Sequence, residues 1–334
     1  MIARADLDFA LPPELIAQEP CTPRDAARLL VLERATGALS ELRFADLAGA
    51  AQPEDLFVVN DTRVVPAKLR GAKRSGGKAE ALLLSRRPDG DWTAFVKARG
   101  RLTPGLELVF GELSARVVDV LPGGTCRLAL TTPSGLGADA LLDSLGEAPL
   151  PPYIRREAPR ASDLADYQTI FAREPGAVAA PTASLHFTEA LAARLRIARV
   201  TLHVGPGTFR PIRGERLEAH ELDAERFAVP NETARALVAA RARGGRVIAV
   251  GTTVVRALET TGGAAGEGDT KLLILPGHEF RAVDSLITNF HLPGSTLLAL
   301  VMAFAGVEAT KRAYAHAIER RFRFYSYGDA LWIQ

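Results

Sequence analysis

Three of the chain's six histidines stand where a strand or loop gives way to another element: His186 in GAVAAPTASLHF, His203 in TLHVGPGTF and His291 in TNFHLPGS. Imidazole is the side chain whose charge changes nearest neutral pH, so each is a candidate acid or base. Each also has a plainer reading, a half-buried ring held by one hydrogen bond. An isolated histidine favours the plain reading, whereas recurrence at three such junctions favours chemistry. A second group lies in GTTVVRALE. Gly251, Thr252 and Thr253 open a helix whose free N–H groups suit a carboxylate or phosphate. Arg256 and Glu259, three residues apart on that helix, either meet opposite charges of a ligand or form a local ion pair worth under about 1 kcal/mol.

These segments need strands and helices to converge. From about residue 150 the pattern alternates strand and helix. Residues 188–197 read as a helix with Thr188 as its cap, 200–204 as a strand, and 231–243 as a helix capped by Asn231 and stopped by Gly244-Gly245. Strands follow at 246–250 and 286–290, the second leading to a helix capped by Ser295. That alternation predicts an α/β body with a mainly parallel sheet, whose ligands gather beyond the carboxyl ends of the strands.

Residues 65–132 read differently. Short strands near 66–71, 78–85, 91–97, 106–110, 114–121 and 124–130 are separated by Ser75-Gly76-Gly77, Pro88-Asp89-Gly90, Pro104-Gly105 and Pro122-Gly123-Gly124. Such spacing predicts a small antiparallel β-barrel. The expected fold is therefore an α/β body with an inserted small antiparallel β-barrel domain. The body comprises residues 1–64 and 150–334 as a discontinuous catalytic domain, and the six-stranded barrel occupies 65–149.

Net charge is only +2 over 334 residues, but residues 63–101 hold eleven Lys and Arg against three Asp and Glu. A basic module on an acidic body fits a polyanion such as nucleic acid; the plainer alternative is a solvated sheet face protected at its edges by cations. Hydrophobic content of 47% suits a globular chain. Acids and prolines interrupt the stretch where a signal peptide would be apolar, and the run 297–307 is far short of the ~20 residues that span a bilayer. A soluble cytoplasmic protein is expected. Two cysteines, Cys21 and Cys126, make no zinc cluster. Gly205-Pro206-Gly207 lacks the third glycine of GxGxxG, and no P-loop, HExxH or GxSxG occurs. A dinucleotide-dependent dehydrogenase, a Rossmann methyltransferase, a P-loop hydrolase and a zinc enzyme are thereby disfavoured.

The ordered blocks LFVVNDTRVVPAKLRG, PLPPYIRR, DYQTIFAREPGAVAAPTASLHF, TLHVGPGTFRPIR, RVIAVGTTVVRALE, LITNFHLPGSTLLALVMAFAG and RFRFYSYGDALWI resemble the QueA family of queuosine biosynthesis from end to end. The resemblance implies an enzyme that takes S-adenosylmethionine as co-substrate and no metal. Its partner is a tRNA bearing an aminomethyl-deazaguanine wobble base, and it works as a monomer away from membranes. The implied reaction moves and isomerises the ribosyl group onto that base, giving epoxyqueuosine-tRNA with adenine and methionine released. A base forms an ylid beside the sulfonium, adenine leaves as the sugar opens, the substrate amine adds, and ring and epoxide closure expel methionine.

On that implication His186, His203 and His291 are the catalytic candidates, with His203 or His186 as base or acid and His291 on the wall. Thr182, Ser184 and Thr208 hold ribose hydroxyls, Arg256 with Gly251, Thr252 and Thr253 grips the methionyl carboxylate, and Asn289 completes the wall. Arg63, Lys68, Arg70, Lys97 and Arg99 are the expected phosphate contacts. The chain departs from the family pattern at Ser184, where PTAGLHF has glycine, at Gly294, where HLPES has glutamate, and at Asp223, where HxMH has its second histidine. Two other classes share parts of this pattern: a non-catalytic tRNA-binding protein or altered-specificity paralogue, and another S-adenosylmethionine-dependent RNA-modifying enzyme.

Overall fold

A computed structural model of the chain describes residues 4–121, 124–132, 138–205 and 217–334. Its main sheet has nine strands in the order Gly266–Thr270, Glu225–Val229, Ile197–Leu202, Leu56–Asn60, Val247–Val250, Ser285–Asn289, Ala330–Ile333, Arg28–Leu32 and Leu39–Arg43. The central four are mutually parallel. Three of them, Leu56–Asn60, Val247–Val250 and Ser285–Asn289, are buried at every position. Continuous apolar strands of this kind need cover on both faces. One face receives the helices Asn231–Ala242, Thr252–Thr261, Thr296–Ala305 and Val307–Glu319; the other packs against Phe44, Leu47, Phe171 and Phe187.

The sheet is mixed rather than mainly parallel. Ala330–Ile333 runs antiparallel to Ser285–Asn289 but parallel to Arg28–Leu32, and both outer edges end in antiparallel pairs. Strand direction at the flanks is set by where the chain returns, which a local pattern does not encode.

A closed barrel of six antiparallel strands stands between the Leu56–Asn60 strand and the rest of the body in sequence. Its strands are Lys68–Lys73, Lys78–Arg86, Trp92–Ala98, Glu107–Phe110, Leu113–Val120 and Thr125–Thr131. Leu69, Leu83, Leu108, Phe110, Val117 and Leu128 fill it. Closure brings two strands close at Gly71, where a Cβ would lie 2.0 Å from the Val109 carbonyl oxygen.

Two expected helix starts differ. Thr188 does cap a helix, its Oγ1 accepting from Leu191 N at 3.2 Å, but the helix stops after Glu189–Ala192 because Ile197 already pairs with Phe57. Asn231 is the first helical residue and makes no capping bond; Pro230 holds the cap position.

Candidate active site

Because the central strands are parallel, their carboxyl ends at Leu202, Asn60, Val250 and Asn289 share one edge of the sheet. A cleft of about 650 Å³, open solvent included, lies there. The Thr62–Val64 strand, which leads into the barrel, leaves the body at this same edge.

Asn60, at the end of its strand, is fully buried and bonded to the cleft-lining Thr253. Its Oδ1 accepts from Thr62 N and Leu202 N at 3.1 Å, and its Nδ2 donates to Leu202 O at 2.9 Å and to Thr253 Oγ1 at 3.1 Å. One amide thus locks two strand ends to the first turn of a helix. Gly251 turns the chain into that helix at φ 99°, a conformation that favours glycine, with its own N–H on Ile287 O at 2.7 Å. Thr252 and Thr253 follow as the first helical residues, and all three line the cleft.

Opposite, Thr182 and Asn289 meet: Thr182 Oγ1 donates to Asn289 Oδ1 at 2.9 Å. The amide nitrogen of Asn289 reaches Tyr325 O at 3.2 Å and His186 Nε2 at 3.3 Å. Asn289 lines the cleft, as expected, and its side chain spends these hydrogen bonds on the protein. His291 lines the cleft, Nε2 bonded to Thr288 Oγ1 at 2.7 Å; burial pushes its pKa down to about 3, so the ring is neutral.

Of the three histidines, His291 alone lines the cleft. His186 is 4% exposed, 5.0 Å from the Phe44 ring, and does not line the cleft; burial first, then the Arg323 and Arg24 charges, lowers its pKa to about 3. His203 lies half-buried, its Nδ1 on Thr62 Oγ1 at 2.8 Å and its ring against Gly176, whose added Cβ would fall 3.0 Å away. Burial and the Arg226 charge lower its pKa as well. Next to it Asp61 accepts from Thr201 Oγ1 at 2.7 Å, its pKa raised by burial.

Two other expected ligand contacts sit behind the wall. Ser184 is fully buried, with an Oγ that finds no partner. Arg256 is paired to Glu225, donates from Nε to Leu272 O at 3.0 Å, and does not line the cleft. Nor does it pair with Glu259, which accepts instead from the backbone of Arg281, Ala282 and Val283. Helical periodicity placed Arg256 on a face, but only the neighbouring strand decided what that face meets. Thr208 lies outside the described residues.

Several lining residues went unnoticed in the sequence: Tyr153, Tyr325, Ser326 and Leu297. The PPY and YSYG blocks carried the signal for the tyrosines, but their meeting depends on contacts 172 residues apart. Among the described residues no group of His, Cys, Asp or Glu is arranged to hold a metal ion.

A second groove, about 1160 Å³, lies along the seam of barrel and body, lined by Lys68, Arg70, Glu147, Arg155, Arg156 and Arg160 among others. Arg70 is tied to Glu147 at 2.9 Å, Arg156 to Asp163 at 2.9 Å, and Arg160 to Glu19. Lys68 and Arg155 make no ion pair among the described residues. Of the other expected phosphate contacts, Arg63 is exposed beside the barrel entrance, while Lys97 pairs in register with Glu80 and Arg99 is exposed beyond its strand.

A cleft at the carboxyl edge of a covered, partly parallel sheet, walled by hydroxyls, an amide hub and a helix start, defines an α/β enzyme with a small antiparallel barrel inserted. The family model for queuosine biosynthesis proteins matches residues 4–333, and the chain belongs to that family. It is similar to the S-adenosylmethionine:tRNA ribosyltransferase-isomerases of Anaeromyxobacter dehalogenans (strain 2CP-C), at 53% identity, and Geobacter sulfurreducens, at 51%, each over 98% of both chains. A crystal structure of S-adenosylmethionine tRNA ribosyltransferase from Thermotoga maritima matches at 35% identity and a TM-score of 0.54, over 98% of this chain and 100% of that one.

Proposed function

We propose that this protein is an S-adenosylmethionine:tRNA ribosyltransferase-isomerase, and that the strand-end cleft is where the co-substrate reacts. The observation that carries the placement is the cleft itself. Its described walls hold neutral donors and acceptors, Thr182, Thr253, Thr288 and Ser326, suited to ribose hydroxyls, and a helix start at Gly251, Thr252 and Thr253 suited to a carboxylate. Residues 1–64 and 150–334 act as the catalytic domain and 65–149 as the domain that contacts tRNA, in a cytoplasmic monomer.

The reaction needs a base at the carbon beside the sulfonium and an acid for departing adenine. His291, neutral and on the cleft wall, is the histidine we assign to proton transfer there. His203, at the seam beside Thr62 and Asp61, faces the approach from the barrel side and is the second candidate. His186, sealed behind Asn289, has a positioning role. Arg256 is not assigned to the methionyl carboxylate. Lys68 and Arg155, joined by Arg63, are the phosphate contacts we favour, since Arg70 is already neutralised by Glu147. No metal enters this scheme.

The test is direct. Purified protein is incubated with S-adenosylmethionine and tRNA bearing the aminomethyl-deazaguanine base, and nucleosides and small products are read by mass spectrometry. Epoxyqueuosine with one adenine and one methionine released is the expected result. S-adenosylhomocysteine would mean methylation instead, and no modified nucleoside from a folded, tRNA-binding protein would make it a binding protein.

A further inference from the structure

A sulfonium is a fixed positive charge, yet the described lining of the cleft contains no aspartate or glutamate to meet it. What the cleft offers is a pair of aromatic rings. Tyr325 and Tyr153 both line it, their centroids 4.7 Å apart at an interplanar angle of 55°. Tyr325 has φ 70°, a region that a residue with a bulky side chain rarely adopts. Such backbone persists only where its surroundings hold it, and it gathers at functional sites.

The holding contacts are on hand. Tyr325 N donates to Phe290 O at 3.0 Å; its carbonyl accepts from Asn289 Nδ2 at 3.2 Å and Gly328 N at 3.0 Å. The Tyr153 hydroxyl meets Ser326 Oγ at 2.7 Å, and the Tyr153 carbonyl accepts from Gln18 Nε2 at 3.0 Å. Burial pushes both phenols up to about 12, so they are neutral at working pH. Neutral phenol rings keep the negative π face that attracts a cation.

We propose that Tyr325 and Tyr153 form an aromatic corner that binds the sulfonium of the co-substrate by cation–π attraction, with Asn289 as the residue that positions Tyr325. This rests on the cleft being the co-substrate site, as proposed above. It assigns to the corner the preference for a charged sulfonium over the neutral thioether that lacks its methyl group.

The experiment titrates S-adenosylmethionine and S-adenosylhomocysteine, by calorimetry, against wild type, Tyr325→Phe, Tyr325→Leu, Tyr153→Leu and Leu297→Trp, a substitution on the cleft wall that fills it. Tyr325→Phe is expected to keep the wild-type preference for the sulfonium. Tyr325→Leu and Tyr153→Leu are each expected to lose roughly 3- to 30-fold of it, with thioether affinity unchanged within about twofold. Should Tyr325→Leu fail to fold, as judged by circular dichroism, Tyr153→Leu carries the test. If Leu297→Trp abolishes binding of both ligands but neither leucine variant changes their ratio, the corner is refuted and the cleft stands. If Leu297→Trp leaves both affinities intact, the cleft is not the co-substrate site, and the corner falls with it.

Discussion

The buried pair of Arg256 and Glu225 offers a sharp test, because it separates a structural role from a ligand-binding one. Both side chains are less than a tenth exposed. Arg256 belongs to the Thr252–Thr261 helix, Glu225 opens the neighbouring Glu225–Val229 strand, and Glu225 Oε1 also accepts from Gly205 N at 2.9 Å. The pair therefore joins the helix that begins at the cleft, an outer strand, and the loop after His203. Removing one partner of a buried pair costs about 3–5 kcal/mol, since the attraction that offset the burial of the other charge is lost. The two single losses should differ. Arg256 Nη2 is already buried with no partner, so Arg256→Met also removes an existing penalty, and the Glu225 carboxyl left behind can take up a proton. Glu225→Gln leaves a guanidinium that cannot shed its charge. Glu225→Gln should thus lose about 4–5 kcal/mol and Arg256→Met about 2–3 kcal/mol, with the double variant losing less than the two together. The assay is urea unfolding followed by Trp332 fluorescence in a Trp92→Phe background, Trp332 being fully buried in the main sheet. Wild-type stability of Arg256→Met, coupled with a raised KM for the co-substrate, would refute this reasoning and return Arg256 to the ligand.

Two further outcomes follow from the geometry. His186 and His291 are held neutral, each with its pKa pushed down to about 3, whereas an unfolded histidine binds its proton near 6.5. Between those values the unfolded chain carries more protons, so stability present above pH 6.5 is lost as pH falls, by about 1.4 kcal/mol per unit for each ring. Urea midpoints between pH 6.5 and 5 should fall, and His291→Asn should flatten the fall; an equally steep slope in that variant would contradict the assignment. For tRNA binding, Lys68→Glu and Arg155→Glu should each lower the salt slope by about one phosphate contact, and Arg70→Ala should leave it nearly unchanged. The reverse ranking, measured by filter binding across a salt series, would move the RNA track away from the seam.

The sequence was most legible where structure is local. All six barrel strands fall close to where glycine and proline turns bound them, because a hairpin's turn chemistry sits between its own strands. The Gly251 turn and the Ser295 cap, whose Oγ accepts from Leu298 N at 3.2 Å, were equally readable, each being a bond within a few residues. The resemblance of the blocks gave the family, which the family model then matched over residues 4–333.

What needed the tertiary structure was every relation between distant segments. Ser184 and His186 look like site residues in a polar loop, but the short 3-10 helix Thr182–His186 buries both and leaves Thr182 and Ala183 at the cleft. Asn289 is a wall residue, as its motif suggested, and also a hub whose partners Thr182, His186 and Tyr325 arrive from two other parts of the chain. By itself the sequence determined the elements, the basic barrel and the family, because periodicity, turn residues and motif blocks act over a few positions. Only the folded chain decided that Glu225 takes Arg256, that Glu147 neutralises Arg70, and that Tyr153 meets Tyr325. Those pairings are fixed by which strands lie side by side, and that is settled by burial of the whole sheet rather than by any one segment.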